Sequence, residues 1–147
     1  MSTPPGEERI VVGVDDDTVA KAALRWAADE ARLRGAVLEM VHAWQPVVPL
    51  EPAGLVAPPA NVDLEAGAQA VLDEVVAEVR GDGAAWPDRC STRIVEGPAG
   101  PLLVEVAEGA SLVVVGTKRH NALTEVLLGS VTRHVTHHAP CPVVVVR

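Results

Sequence analysis

The 147-residue sequence has no phenylalanine and no tyrosine, so its three tryptophans supply the entire 2% of aromatic residues. Hydrophobic residues nevertheless make up 48% of the chain, which excludes wholesale disorder. The core must therefore be assembled from valine, leucine and alanine. The length fits a single domain that spans residues 1–147.

Basic residues are also scarce, because 12 lysines and arginines stand against 20 acidic residues and leave a formal net charge of −8. A protein that tracks DNA or RNA phosphates needs a broad basic face, which this balance does not supply. Nucleic acid is therefore excluded as an expected partner. A small nucleotide is not excluded, because a few backbone N–H groups are enough to hold one.

Long apolar runs are missing as well. No stretch approaches the ~18 apolar residues that cross a bilayer, so no membrane partner is expected. Residues 1–9 lack the basic start and the apolar region of a signal peptide. The two cysteines, Cys90 and Cys141, lie far apart without a CxxC pattern and are interpreted as reduced thiols. These features predict a cytoplasmic protein, and residues 1–8 are expected to form a flexible tail.

Short apolar runs and helical stripes alternate along the chain. Valine-rich runs predict five strands, at residues 9–14, 37–43, 91–95, 111–115 and 142–146. Apolar residues at helical spacing predict helices at residues 20–31, 64–79, 101–108 and 130–138. Asp17 or Thr18 is expected to cap the first helix, and Gly35 is expected to end it. The alternation is typical of an α/β fold with a parallel sheet covered by helices on both faces.

A proline-rich segment interrupts this pattern between the second strand and the second helix. It carries Pro46, Pro49, Pro52, Pro58 and Pro59. Proline at this density blocks both helices and strand ladders, so residues 45–61 are predicted to form a loop. The loop is longer than most connections in a compact domain. A lid over a ligand and a neutral insertion are both open interpretations.

In parallel sheets of this kind, ligands bind beyond the carboxyl ends of the strands, where the direction of winding reverses. If the first strand neighbours the fourth, the residues after Val14 and after Val115 form the floor of that crevice. Gly129-Ser130 then precedes the last helix, where Ser130 is a natural N-cap and the N–H groups of Val131 and Thr132 face outward. Helix N-termini of this type bind phosphate.

Three further residues make this phosphate hypothesis more specific. Gly116 follows the fourth strand, and Lys118 and Arg119 are close enough in sequence to reach an anion held there. The alternative is that Ser130 only caps its own helix, and that Lys118 and Arg119 belong to an ordinary solvated loop.

Several segments resemble those of a known family, namely Ile-Val-Val-Gly-Val-Asp, Val-His-Ala-Trp, Val-Val-Val-Gly, Leu-Leu-Gly-Ser-Val-Thr and Ala-Pro-Cys-Pro-Val-Val-Val-Val. They span nearly the whole chain, and the sequence resembles the universal stress protein family. The resemblance implies a flavodoxin-like or Rossmann-like three-layer sandwich whose five parallel strands are ordered 3-2-1-4-5. It also implies a homodimer through the last strand, Val143–Val146, and an unprotected apolar edge of this kind pairs readily.

ATP-binding members of that family carry the pattern Gly-x2-Gly-x9-Gly-(Ser/Thr). Gly116 takes the first position and Gly129-Ser130 takes the last, whereas the second glycine falls on Arg119. If that position needs a positive φ, arginine costs about 1–2 kcal/mol of strain. If φ is negative, the guanidinium adds a charge-assisted contact to a phosphate. Retained ATP binding is favoured, because Val131 and Thr132 complete the pattern.

The resemblance also implies how the rest of the nucleotide is held. Asp15 is expected on the ribose and adenine side of ATP, with the backbone of Gly13 and Val14 alongside. Ala43 and Val115 take the positions of adenine contacts. Mg²⁺ is expected to be carried by the phosphates of the nucleotide rather than by the protein alone.

Two groups of side chains have the chemistry of metal ligands, but other roles are favoured for both. The consecutive acids Asp15, Asp16 and Asp17 point in different directions, and acids at a helix start are favoured by its dipole. His134 and His138 share a helical face near His137 and Cys141, but no third ligand is identifiable. No metal site built by the protein alone is therefore predicted.

Motifs for catalysis are absent from the sequence: it has no nucleophile elbow, no kinase signature and no P-loop. No catalytic residue is therefore predicted. The expected role is that of an ATP-binding regulatory protein of the stress response, which works by population shift rather than by chemistry. Two alternatives are a nucleotide-free signalling or scaffold module whose pocket is closed by Arg119, and a weak ATP hydrolase.

Overall fold

The computed structural model describes residues 6–46, 50–51, 54–55, 62–117 and 128–147. Predicted site residues Lys118 and Arg119 lie outside the described residues. The strands are β1 (Arg9–Gly13), β2 (Val37–Trp44), β3 (Leu50–Glu51), β4 (Gly54–Leu55), β5 (Cys90–Glu96), β6 (Leu112–Gly116) and β7 (Val143–Val146). The helices are α1 (Thr18–Arg34), α2 (Leu64–Gly81), α3 (Ala99–Val106) and α4 (Ser130–His138).

The main sheet has five parallel strands in the order β5-β2-β1-β6-β7. Counting only the strands of this sheet along the chain, the order is 3-2-1-4-5, which confirms the predicted fold. The central strands β1 and β6 are buried on both faces, because helices cover both sides of the sheet. This burial explains why their sequences are continuous apolar runs rather than alternating ones.

Each face of the sheet has its own core. Ile10 and Val12 of β1 point to the face covered by α1 and α2, whereas Val11 points to the face covered by α3 and α4. On the first face, α1 contributes alanines that are fully buried, namely Ala23, Ala27, Ala28 and Ala31. Small side chains let this helix lie close to the sheet, which brings its first turn near the ends of β1 and β6.

The proline-rich segment departs from the prediction in one respect. Strands β3 and β4 form a short antiparallel pair in which Leu50 lies opposite Leu55 and Glu51 lies opposite Gly54. The prediction of a segment without a ladder was therefore wrong for these residues. The paired residues are not prolines, so their N–H groups are retained and ladder hydrogen bonds can form. The rest of the segment, and with it the choice between lid and insertion, lies outside the described residues.

The start of α3 and the end of the predicted tail also differ from the prediction. Helix α3 begins at Ala99 rather than at Pro101, and its first hydrogen bond runs from the N–H of Leu102 to the carbonyl of Pro98. Pro101 is tolerated because the N–H groups of a first helical turn have no intrahelical partner. In the predicted flexible tail, Glu8 is held by β2, since its carbonyl accepts the N–H of Val37 at 2.9 Å. None of the described helices is both long and apolar enough to cross a membrane.

Candidate functional site

A cleft opens where β1 and β6 end side by side. These strands are direct neighbours in the sheet, with Val12 paired to Val114. After β1 the chain enters α1 on one face, whereas after β6 it continues to α4 on the other face. The winding therefore reverses between these two strands, which is the position where open α/β sheets bind ligands.

The cleft encloses about 630 Å³, including the open space at its mouth. The structure brings together the predicted residues Gly13, Val14, Asp15, Ala43, Val115, Gly116, Gly129, Val131 and Thr132. Sequence reasoning missed further lining residues from α1, β2 and α3, namely Asp17, Ala20, Val41, Ala99 and Leu103. Ser130 is not among the lining residues.

Two glycines form the floor of the cleft, and a side chain on either one would press against a packed helix. A Cβ atom on Gly13 would lie 2.9 Å from Cδ1 of Leu103, on the α3 side of the sheet. A Cβ atom on Gly116 would lie 3.0 Å from the carbonyl oxygen of Val19, in the first turn of α1. Gly116 therefore has a packing role on the α1 side in addition to the predicted role toward a ligand.

Helix α4 begins at the edge of this cleft with its predicted bounds, but its N-cap lies one residue earlier than predicted. Gly129 is the N-cap, because its carbonyl accepts the first helical hydrogen bond, from the N–H of Arg133 at 2.9 Å. The prediction that Ser130 caps the helix was wrong: Ser130 is the first helical residue, and Gly129 makes no side-chain capping bond. A side chain caps from the extended residue before the helix, and Gly129 occupies that position with φ −62° and ψ 164°.

Because no side chain caps α4, its first N–H groups can donate to an acceptor from outside the helix. The N–H groups of Ser130, Val131 and Thr132 precede the first intrahelical bond, and they point toward the N-terminal end of the helix. The Thr132 hydroxyl donates to the carbonyl of Gly116 at 2.8 Å, with Thr132 only 2% exposed. This bond fixes the first turn of α4 against the end of β6.

The turn that follows β1 separates the three consecutive acids. Asp17 caps α1 by accepting from the N–H of Ala20 at 2.7 Å, as predicted. Asp15 is exposed and accepts from the N–H of Asp16 at 2.9 Å, whereas Asp16 pairs with Lys21 at 3.4 Å. The three carboxylates thus have separate local partners.

Lys21 is a cation beside this turn. Its ammonium group lies 2.7 Å from the Glu78 carboxylate of α2. That hydrogen bond, supported by Asp16, raises the pKa of Lys21 above its ordinary value of 10.5, although desolvation opposes the shift. The charge of Lys21 is therefore used to join α1 to α2.

A histidine of β2 fixes the backbone just before Asp15. The N–H of Val14 donates to the carbonyl of Val41 at 2.8 Å, and Nδ1 of His42 lies 2.9 Å from the carbonyl of Val14. Because a carbonyl only accepts, Nδ1 of His42 must carry the proton. Sequence reasoning missed this role. The available signal was a polar side chain within an apolar strand, since such a side chain usually has a hydrogen-bond partner.

The histidines of α4 are not among the residues that line the cleft. The rings of His134 and His138 have centroids 4.5 Å apart, and Nδ1 of His137 lies 2.7 Å from the carbonyl of Arg133. Both cysteines are free thiols. Within the described ranges, no group of three or more histidine, cysteine or acidic side chains is arranged to hold a metal ion.

Comparison of this sequence with known proteins points to a single family. A sequence profile of the universal stress protein family matches residues 7–147. A universal stress protein of Mycobacterium tuberculosis is 34% identical over an alignment of 152 residues, which covers 99% of this chain and 50% of that relative. The chain thus spans about half the length of this curated relative.

Solved structures show the same fold. A universal stress protein in complex with cAMP has a TM-score of 0.71 at 25% identity, covering 96% of this chain and 97% of that one. The universal stress protein from Archaeoglobus fulgidus in complex with dAMP has a TM-score of 0.65 at 26% identity, covering 95% and 98%. The family match and the shared fold agree with the segments noted in the sequence. The chain belongs to the universal stress protein family.

Proposed function

We propose that the cleft binds ATP, with Mg²⁺ on its phosphates, and that the protein is a cytoplasmic regulatory protein of the stress response rather than an enzyme. The observation that carries this proposal is the start of α4, where Gly129, Val131 and Thr132 line the cleft at the positive end of the helix. The complexes of relatives with cAMP and dAMP support an adenine nucleotide as the ligand.

The geometry suggests an orientation for the nucleotide. Phosphates accept from the N–H groups of Ser130, Val131 and Thr132, since these precede the first helical bond. The ribose lies toward Asp15, whose carboxylate is exposed at the end of β1. The base lies against the apolar wall formed by Ala43 and Val115. Lys118 and Arg119 are proposed to reach the phosphates.

The regulatory output is proposed to be a shift between conformations that differ in affinity for ATP. The edge strand β7 is a surface through which a binding partner could respond to such a change. Strand β7 pairs with β6 on one side, and its valines are half-buried. We propose that the β7 strands of two copies pair to form a homodimer.

The binding proposal is tested by isothermal titration calorimetry of purified protein with ATP, using Gly129→Asp as the disrupting variant. Aspartate is a preferred N-cap, so the variant is expected to fold normally. Its carboxylate takes the N–H groups that a phosphate needs and repels the phosphate charge, so affinity is expected to fall at least about tenfold.

A matched control places the same substitution at another helix start. Gly67 lies in the first turns of α2, where a Cβ atom would meet nothing within 4 Å. Gly67→Asp is therefore expected to keep the ATP affinity of the wild type. Equal affinity in Gly129→Asp and wild type would contradict the proposed phosphate site.

Two further measurements separate the alternatives. If the wild type binds no nucleotide and Arg119→Gly gains binding, the protein is a nucleotide-free module whose pocket is closed by Arg119. If steady release of ADP is observed and Ser130→Ala abolishes it, the protein is a hydrolase. Parallel titrations with AMP and cAMP, together with mass spectrometry of what co-purifies, identify the preferred nucleotide.

A further inference from the structure

The first turns of two helices reach the cleft, one from each face of the sheet. Asp17 and Ala20 at the start of α1 line the cleft, as do Val131 and Thr132 at the start of α4. Each start carries the partial positive charge of a helix N-terminus, which attracts anions. Two positions in the same cleft therefore have backbone groups suited to a phosphate, and they differ in their caps.

Helix α4 has no side-chain cap, whereas a carboxylate caps α1. Oδ1 of Asp17 accepts the N–H of Ala20 at 2.7 Å, and Asp17 is half-buried. The nearby cation Lys21 pairs with Asp16 and Glu78 instead. The Asp17 carboxylate therefore offsets the positive end of α1 and adds a negative charge to the wall of the cleft.

The two helix starts are close enough for this charge to act on a bound phosphate. A Cβ atom on Gly116 would lie 3.0 Å from the carbonyl oxygen of Val19 in α1. On the other face, the carbonyl of Gly116 accepts from the Thr132 hydroxyl of α4 at 2.8 Å. The covalent bonds of Gly116 span the rest, so the first turns of α1 and α4 lie within about 10 Å of each other. Two unit charges at that distance still interact measurably in water.

The charge of the ligand decides how strongly it is repelled. Among the described residues that line the cleft, both charged side chains are acidic, namely Asp15 and Asp17, and Asp15 is exposed to solvent. ATP without a metal ion carries about four negative charges, against about two with Mg²⁺ bound and about one for cAMP. Repulsion by a fixed carboxylate grows with the charge of the ligand, so it acts mainly against free ATP.

We propose that Asp17 is a specificity-determining residue of the cleft, which disfavours nucleotides in proportion to their negative charge. The inference rests on the proposed binding of an adenine nucleotide and states what selects its form. Phosphates are directed to the uncapped start of α4, because the carboxylate occupies the start of α1. ATP with Mg²⁺ on its phosphates is bound in preference to free ATP, and a nucleotide with a single charge is the least affected.

The test is isothermal titration calorimetry of wild type and Asp17→Asn with three ligands, namely ATP in EDTA, ATP with excess Mg²⁺, and cAMP. Asparagine has the same shape and is an equally preferred N-cap, so the substitution removes only the charge. The affinity for ATP in EDTA is expected to rise about threefold at about 0.1 M salt, and about sevenfold at about 0.01 M salt, where screening is weaker. The gain for cAMP is expected to stay below about twofold.

Asp63→Asn is the matched control, because Asp63 caps α2 in the same way. Asp63 accepts the N–H of Ala66 at 3.0 Å, but it is exposed and is not among the residues that line the cleft. This variant is expected to bind all three ligands as the wild type does. Asp17→Ser keeps a capping oxygen without the charge, so it is expected to reproduce the gain of Asp17→Asn.

The outcomes separate this inference from the proposed function. If the wild type binds ATP but Asp17→Asn does not bind ATP in EDTA more tightly, the inference is overturned and nucleotide binding stands. Equal gains for ATP in EDTA and for cAMP, or a gain that salt does not change, also overturn it, because they indicate an effect of shape rather than of charge. A wild type that binds no nucleotide under any of these conditions overturns both.

Discussion

Replacing Gly116 by alanine tests how tightly α1 closes over the floor of the cleft. The added Cβ atom would lie 3.0 Å from both Cγ1 and the carbonyl oxygen of Val19, and 3.1 Å from its carbonyl carbon. Two of these three atoms belong to the backbone of the first turn of α1. That turn is held by the Asp17 cap and by the hydrogen bond from the N–H of Lys21 to the carbonyl of Asp17 at 3.0 Å.

The expected cost follows from these contacts. A side-chain atom can rotate away, but the carbonyl of Val19 moves only if the start of α1 moves by several tenths of an ångström. Overpacking of this type costs about 1–3 kcal/mol of unfolding free energy. For a domain of this size, each kcal/mol lowers Tm by roughly 2–4 °C, so a decrease of about 2–12 °C is expected.

Urea unfolding followed by circular dichroism measures the loss, and Gly67→Ala is the matched control. Gly67 lies inside α2, where an added Cβ atom meets nothing within 4 Å. Alanine is the better helix former, so this variant is expected to gain about 0.5–1 kcal/mol. If Gly116→Ala, like Gly67→Ala, is at least as stable as the wild type, the close approach of α1 to Gly116 is refuted.

Three other predictions concern single side chains. Thr132→Val removes the hydrogen bond to the carbonyl at the end of β6, and urea unfolding is expected to show a loss of about 1–2 kcal/mol. Burial raises the pKa of the Cys141 thiol, with a small opposing effect from a nearby positive charge, so iodoacetamide is expected to modify the exposed Cys90 first, as read by mass spectrometry. The hydrogen bond to Glu78 raises the pKa of Lys21 above 10.5, so the stability that the pair contributes is present below that pH and is lost as pH rises through the folded value. Urea midpoints measured from about pH 9 to 12 are therefore expected to fall less steeply in Lys21→Met than in the wild type. Equal slopes would count against that ion pair.

Much of the fold follows from local pattern alone. The run from Leu112 to Gly116 is apolar throughout because both faces of β6 are covered, and this signal needs no knowledge of the partners. The stripe of alanines on α1 is equally local. Helix α4 was predicted with its observed bounds, Ser130–His138, because a glycine precedes it and a proline follows it closely.

Other features depend on tertiary contacts and were not predictable in this way. The role of His42 requires that Val14, which follows β1, lie beside β2 in one particular register, which the sequence does not state. The β3–β4 pair was missed because the density of prolines was averaged over the segment, whereas the ladder uses only the residues between them. The N-cap was assigned to Ser130 because serine is a preferred capping residue, but the extended backbone occurs at Gly129.

The packing of Gly116 changes how the glycine pattern should be interpreted as a sign of function. Since a side chain at this position would press against the backbone of α1, the packing favours a glycine there whether or not a nucleotide binds. Gly13 is less constrained, because the atom nearest to an added Cβ is the end of the flexible Leu103 side chain. Gly129 differs, because its φ of −62° is accessible to any residue, and aspartate or serine would cap α4 better. A capping side chain there would occupy the N–H groups that a phosphate uses. The uncapped start of α4 is therefore a better sign of the proposed nucleotide site than the glycine at the end of β6.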